Sequence, residues 1–179
     1  MTPDDDVADV ADVAERHHVT VESFDDFFAS HHDRIVRALS LALGDDHLGR
    51  DAAAEGFARA LQRWNRVGRY DNPTGWIYRV GLNWARSRRR KTVREISESA
   101  LASELADAPD RAAESADRDL RIVPALRRLS PDHRAVVVAK YYLDWSEQRI
   151  AAALGIRPGT VKSRLSRALE RLADDLRTA

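Results

Sequence analysis

Apolar residues recur along this chain at three- and four-residue steps, the spacing that buries one face of an α-helix. Between residues 24 and 43 they are Phe24, Phe27, Phe28, Ile35, Leu39 and Leu43. Ser23 precedes the run with Asp26 three residues on, an acidic variant of the capping box. Gly44 ends it, because glycine takes the left-handed conformation without a side-chain penalty. A second helix is predicted from Asp45 or Asp46 to about Trp64, burying Ala53, Phe57, Ala60, Leu61 and Trp64. Residues 65–72 read as a loop. Asn72 then reads as an N-cap and Pro73 as the first position of a third helix, where a missing N–H costs nothing. That helix carries Trp76, Ile77, Val80 and Trp84 on one face and ends in an arginine-rich run.

The periodicity lapses over residues 95–117, which are rich in Ala, Ser, Asp and Glu and contain Pro109. This reads as a flexible, acidic linker kept extended by repulsion, with nascent helix around residues 100–105. Four shorter helices follow. The first spans about 118–129, with Pro124 inside it. The second opens at Ser130-Pro131 and carries Val136, Val137, Val138, Tyr141 and Tyr142. The third is capped by Ser146, turns Ile150 and Leu154 inward and stops at Gly155. The last starts near Pro158 and buries Val161, Leu165, Ala168, Leu169 and Leu172. No strand pattern occurs. The predicted fold is all-α: two small helical domains, residues 21–94 and 118–179, joined by the linker 95–117 and preceded by an acidic extension, 1–20.

Charge changes this picture more than composition does. The chain has 29 basic and 29 acidic residues among 179, but they are segregated. Residues 1–58 hold 14 acidic and 4 basic side chains, 59–94 hold 1 and 11, 95–120 hold 8 and 2, and 121–179 hold 6 and 12. Two basic blocks separated by acidic ones suggest a bipartite polyanion binder. There is no cysteine, which excludes disulfides, thiolate metal sites and cysteine nucleophiles. The histidine pairs His17-His18 and His31-His32 are adjacent, and neighbours on a helix point apart. Neither a serine elbow nor a phosphate-binding glycine loop is present. No catalytic residue, metal or cofactor is expected. With no apolar run long enough to span a bilayer and an acidic N-terminus, neither membrane insertion nor export is expected, and the location should be cytoplasmic.

Residues 146–167 read SEQRIAAALGIRPGTVKSRLSR. A short capped helix ends at glycine, Ile156 fills the turn, and a longer helix exposes Thr160, Lys162, Ser163, Arg164 and Arg167, with Arg157 just ahead of it. This is the grammar of a helix-turn-helix. Such a helix fits the major groove, arginine pairing with guanine while lysine and hydroxyls hold phosphates.

With Leu126–Leu143 before it, this segment resembles region 4 of bacterial sigma factors, which reads the −35 promoter element. Residues 24–91 resemble region 2, on the string Asp51-Ala-Ala-Ala-Glu55-Gly-Phe57-Ala-Arg59-Ala-Leu61 and on residues 72–85 with the arginine run that follows. Two regions and a linker resemble a sigma factor of the extracytoplasmic-function type. The pattern departs at Ala54, where the family commonly has glutamine. The resemblance implies a subunit that binds core RNA polymerase, at the largest-subunit clamp helices and the flap, directs it to promoters and assists their opening. It implies that Asp51, Glu55, Arg59 and Arg63 face polymerase. It implies that the loop carrying Arg69, Tyr70, Asp71 and Asn72 receives a flipped base. Trp76, Arg79 and Asn83 would contact the melted −10 strand, with Arg86, Arg88, Arg89, Arg90 and Lys91 along its backbone. An anti-sigma protein is a further family expectation. On the residues alone, Trp64, Trp76 and Trp84 also suit core packing. Two other readings remain open here: a stand-alone helix-turn-helix regulator that binds duplex DNA without polymerase, and a helical protein whose basic faces bind acidic partners.

Overall fold

The computed structural model describes residues 22–99 and 119–178. Every regular element among them is helical: α1 (Phe24–Leu43), α2 (Asp46–Leu61), α3 (Trp64–Val67), α4 (Pro73–Ser99), α5 (Asp119–Arg128), α6 (Pro131–Tyr141), α7 (Glu147–Leu154) and α8 (Pro158–Thr178). The acidic extension, His17-His18 and linker residues 100–117 lie outside the described residues.

Helix boundaries follow local chemistry. Ser23, Asp45, Ser130 and Ser146 each cap a helix by accepting a hydrogen bond from the backbone N–H three residues on. Each such cap stabilises by about 1 kcal/mol. Gly44 and Gly155 close α1 and α7 in the left-handed region, at φ 71° and 67°. Pro124 stays within α5, at the loss of one backbone hydrogen bond.

Two boundaries differ from the expected ones. The second helix ends at Leu61 instead of Trp64, and the expected loop begins with a helical turn, α3. Arg63 breaks the helix at φ −128°, ψ 23°, and Trp64 swings back onto α1. There its ring meets Phe24 at 5.3 Å and Phe27 at 4.7 Å, and its Nε1 donates to the Glu22 carbonyl at 2.9 Å. Aromatic packing has overridden helix continuation, and Leu61, expected inside, is 55% exposed. The other difference is α4, which continues through Ser99, past the expected start of the linker at residue 95.

Small residues set the packing of the N-terminal half. Gly49, Ala52, Ala53, Gly56 and Ala60 are buried on α2. A Cβ on Gly49 would lie 2.4 Å from Ser40 Cα, and one on Gly81 of α4 would lie 2.8 Å from the Ala52 carbonyl and from Leu39 Cδ1. Helix backbones therefore approach more closely than larger residues would permit. The buried face of α4 is Ile77, Tyr78, Leu82 and Ala85. Trp76, Val80 and Trp84, expected on the buried stripe, sit half-buried at its margins.

The two halves share one apolar core. α1 packs on α6, and α4 on α7. Tyr78 is fully enclosed, its hydroxyl donating to the Ala135 carbonyl of α6 at 3.1 Å and its ring meeting Trp145 edge-on at 5.7 Å. Burial pushes that hydroxyl far above the tyrosine range, against the opposing pull of Arg134 and Arg86. Arg134 is itself buried beside Gly44 at the carbonyl end of α1. Burial pulls its guanidinium below the usual range, and Arg89 and Arg127 add to the effect.

Candidate nucleic-acid interface

The helix-turn-helix is formed by α7, the Gly155–Arg157 turn and α8. Ile150, Ala151, Ala153, Val161, Leu165 and Ala168 are buried beneath it. Arg157 accepts the first backbone bonds of α8, from Thr160 and Val161. Lys162, Ser163 and Arg167 are exposed and Thr160 is half-buried. Ser163 donates its hydroxyl to the Thr160 carbonyl at 3.1 Å, leaving its oxygen free to accept. Arg164 is turned inward, and its guanidinium donates to Asp132 at 2.6 Å.

On the other half, Arg69, Tyr70 and Asp71 are exposed. Asn72 is committed to structure: its Oδ1 accepts from Gly75 N at 2.9 Å and Thr74 Oγ1 at 2.8 Å, capping α4, and from Arg149 of α7 at 2.9 Å. Arg79 and Asn83 are exposed, and the Arg79 guanidinium lies over Gly155. Of the terminal cations, Arg88 lies over the Trp84 ring at 5.2 Å and 4.0 Å from Asp51. Arg89 donates to the Leu43 carbonyl at 3.2 Å and Arg90 to Ser87 Oγ at 3.3 Å. Lys91 is exposed. Arg86 donates to Asp132 at 2.5 Å. Trp84, Ser87, Arg88, Lys91 and Thr92 line a polar cleft of about 470 Å³. Asp51, Glu55 and Arg59 follow one another at four-residue steps on α2, with Glu55 and Arg59 paired at 2.6 Å. Arg63 lies just beyond the helix and is exposed.

Sequence reasoning missed the residues that join the halves. Asp132 reads locally as an acidic first-turn residue, favourable to its own helix dipole, and Arg149 as an ordinary surface cation. Only the fold brings them against Arg86, Arg164 and Asn72. His31 Nδ1 bonds the Phe27 carbonyl at 2.9 Å, and His32 pairs with Asp33. Among the described residues no group of three or more His, Cys, Asp or Glu side chains could hold a metal ion, and no helix is long and apolar enough to cross a membrane.

Residues 120–172 match the family described as Sigma-70, region 4. The RNA polymerase sigma-E factor of Streptomyces coelicolor is 31% identical over 162 residues, 87% of each chain. The ECF RNA polymerase sigma factor SigL of Mycobacterium tuberculosis is 37% identical over 133 residues, 72% of this chain and 75% of that one. This chain belongs to the RNA polymerase sigma factors of the ECF type. Family membership decides between the readings left open above: this is a transcription-initiation factor that works with RNA polymerase on promoter DNA, and not a helix-turn-helix regulator acting alone. The fold agrees with that of the sigma factor RpoE of Bartonella quintana, solved in complex with the anti-sigma factor NepR. It covers 86% of this chain and 98% of that one at a TM-score of 0.67 and 24% identity.

Proposed function

We propose that this sigma factor divides promoter recognition between its two halves. The C-terminal half reads the −35 element as duplex. Arg157, Thr160, Lys162, Ser163 and Arg167 meet phosphates and base edges, and Arg164 reads a base once Asp132 has released it. The N-terminal half captures the melted −10 strand. Arg69, Tyr70 and Asp71 form the loop that receives an unstacked base, with Asn72 as its structural anchor. Trp76, Arg79 and Asn83 contact the strand, and the cations from Arg86 to Lys91 follow its backbone. Asp51, Glu55, Arg59 and Arg63 lie against the polymerase clamp helices, and the flap contacts the C-terminal half. The factor acts in the cytoplasm as a non-catalytic, dissociable subunit. A protein inhibitor analogous to NepR belongs to the same reading.

The observation that carries this proposal is the surface of α4. Trp84, Arg88 and Lys91 line a cleft with Ser87 and Thr92, and exposed Asn83 and half-buried Trp76 precede it on the same helix. Single-strand binding requires that combination of cationic track and aromatic faces. The test is transcription with core polymerase reconstituted with the full chain or with Trp84→Ala/Arg88→Ala. The expected result is normal assembly with core enzyme and loss of open-complex signal at −10. Undiminished opening by that variant overturns the assignment.

A further inference from the structure

Tyr141, Ile122 and Leu169 are 61%, 54% and 41% exposed, and with Tyr142 they account for four of the eight exposed large apolar side chains among the described residues. All four line one cleft of about 580 Å³ between α1, α5, α6 and α8, floored by Leu41, Leu126 and Val138. Single exposed apolar residues are ordinary, whereas a contiguous apolar patch marks an interaction surface.

The chain itself contains a matching segment. Residues 6–14 are three successive Asp-Val-Ala triplets. Wound as a helix, a three-residue repeat drifts about 60° per triplet. Val7, Val10 and Val13 would then span about 120° of arc, flanked on one side by the alanines and on the other by Asp6, Asp9 and Asp12, with Val13 between Asp6 and Asp9. The cleft offers a complement in Arg34 of α1, with Arg37 one turn before the lining residue Leu41. The Arg34 guanidinium donates to the Tyr142 carbonyl at 3.2 Å, which places a cation at the lip. On α1, Arg34, Arg37 and Leu41 fall within about 60° of arc, which puts two cations on the cleft side of the second half of the helix.

Reach is sufficient. The described chain starts at Glu22, held at the N-terminal end of α1 by Trp64. From Phe24 to Leu41 the helix rises about 26 Å. The nine residue steps from Val13 to Glu22 span about 30 Å when extended.

We propose that residues 6–14 fold back along α1 and occupy this cleft, so that the free chain carries its own displaceable ligand. Any helix of another protein that takes the cleft must first expel it, and the six acidic residues of 1–20 make that competition dependent on salt.

The test uses the full chain alone, with the photocrosslinker benzoylphenylalanine replacing Leu169. Irradiation, trypsin digestion and mass mapping should give a crosslink within one chain to the peptide that ends at Arg16. A full-length variant carrying Val7→Asp, Val10→Asp and Val13→Asp should lose that crosslink and bind several-fold more of an apolar-surface dye, while its thermal unfolding stays cooperative. The idea is overturned by crosslinks between two chains, by crosslinks confined to residues 100–118 or to the basic face of α8, by none to residues 1–16, or by an unchanged crosslink in the valine variant. Neither polymerase nor DNA is present, so the outcome is independent of the proposed function.

Discussion

Asp132 accepts hydrogen bonds from Arg86 of α4 at 2.5 Å and from Arg164 of α8 at 2.6 Å, one carboxylate oxygen for each. Two arginines assigned to DNA, one from each half of the molecule, are thus held by one acidic side chain. Arg164 is the more enclosed, at 25% exposure against 46% for Arg86. In this arrangement Arg164 cannot pair with a guanine, so the base contact proposed for it requires loss of its bond to Asp132.

Asp132→Asn should therefore raise the affinity of the free chain for −35 duplex. The partly exposed Arg164–Asp132 pair is worth about 0.2–1 kcal/mol, so the gain should be about 1.5- to 5-fold at low salt. Fluorescence anisotropy on matched and scrambled sites checks the cause. Release of Arg164 favours the matched site, whereas an equal gain on both would reflect only the removal of a negative charge.

Arg164→Ala and Lys162→Ala should behave differently. Loss of a base-reading arginine costs roughly 1–3 kcal/mol at the matched site and relaxes preference there. Loss of a phosphate-binding lysine weakens all sequences evenly and reduces the salt slope by about one. Matched and scrambled duplexes titrated across a salt series separate the two. If both substitutions act alike, α8 does not read bases.

Tyr78→Phe removes the buried hydroxyl that joins α4 to α6, at about 1 kcal/mol near neutral pH. Its pH dependence has a definite sign. Burial raises the folded pKa of Tyr78 above the unfolded value of about 10. Above pH 10 the unfolded chain sheds a proton that the folded chain keeps, so this contribution is complete below pH 10 and declines as pH rises beyond it. Denaturant unfolding of both proteins from pH 8 to 11 should show a shallower alkaline loss in Tyr78→Phe.

Gly81→Ala should destabilise the protein although alanine favours helix by about 1 kcal/mol. The new methyl meets the Ala52 carbonyl at 2.8 Å, and backbone yields less readily than a side chain. Overpacking of this kind costs about 1–3 kcal/mol. Gly49→Ala, which meets Ser40 Cα at 2.4 Å, should cost more. Thermal denaturation ranks the two, and a stabilised Gly81→Ala would show that α2 and α4 can separate without penalty.

Most helix boundaries were legible because they depend on neighbours in sequence. The hydroxyls of Ser23, Ser130 and Ser146 cap within three residues, and the glycines at 44 and 155 stop their helices without help from the rest of the fold. The end of α2 was not legible, because it is decided by Trp64 reaching back to Phe24, Phe27 and the Glu22 carbonyl. Periodicity placed the apolar stripe of α4 on its tryptophans, yet the small residues around Gly81 and the deeply buried Tyr78 draw a different arc inward. Leu169 satisfied the periodicity of α8 and still lies in an open cleft. Periodicity identifies an apolar face without saying whether anything covers it. The candidate DNA residues were legible as types and spacings, but Asp132 and Arg149 carry no local sign of their long-range partners. Asn72, read both as cap and as strand contact, is occupied here by the cap and by Arg149.

That occupation determines how strand capture should be tested. Asn72→Ala would uncap α4 at about 1 kcal/mol and confuse stability with function. Arg69, Tyr70, Asp71 and Asn83 are exposed, so alanines there leave the core intact. These substitutions should leave −35 duplex binding by the full chain nearly unchanged, because the contacts proposed for that element lie on α8 and the turn before it. They should reduce open-complex formation by the reconstituted holoenzyme. Unstacking and flipping a base costs a few kcal/mol, and favourable contacts to the captured strand must offset that cost. Permanganate footprinting at −10 reads the open strand directly. A promoter pre-melted at −10 separates two defects: restored activity means that opening was impaired, and persistent loss means that base-specific capture was. Normal footprints in all of these variants would falsify the assignment of this loop and of α4 to the melted strand.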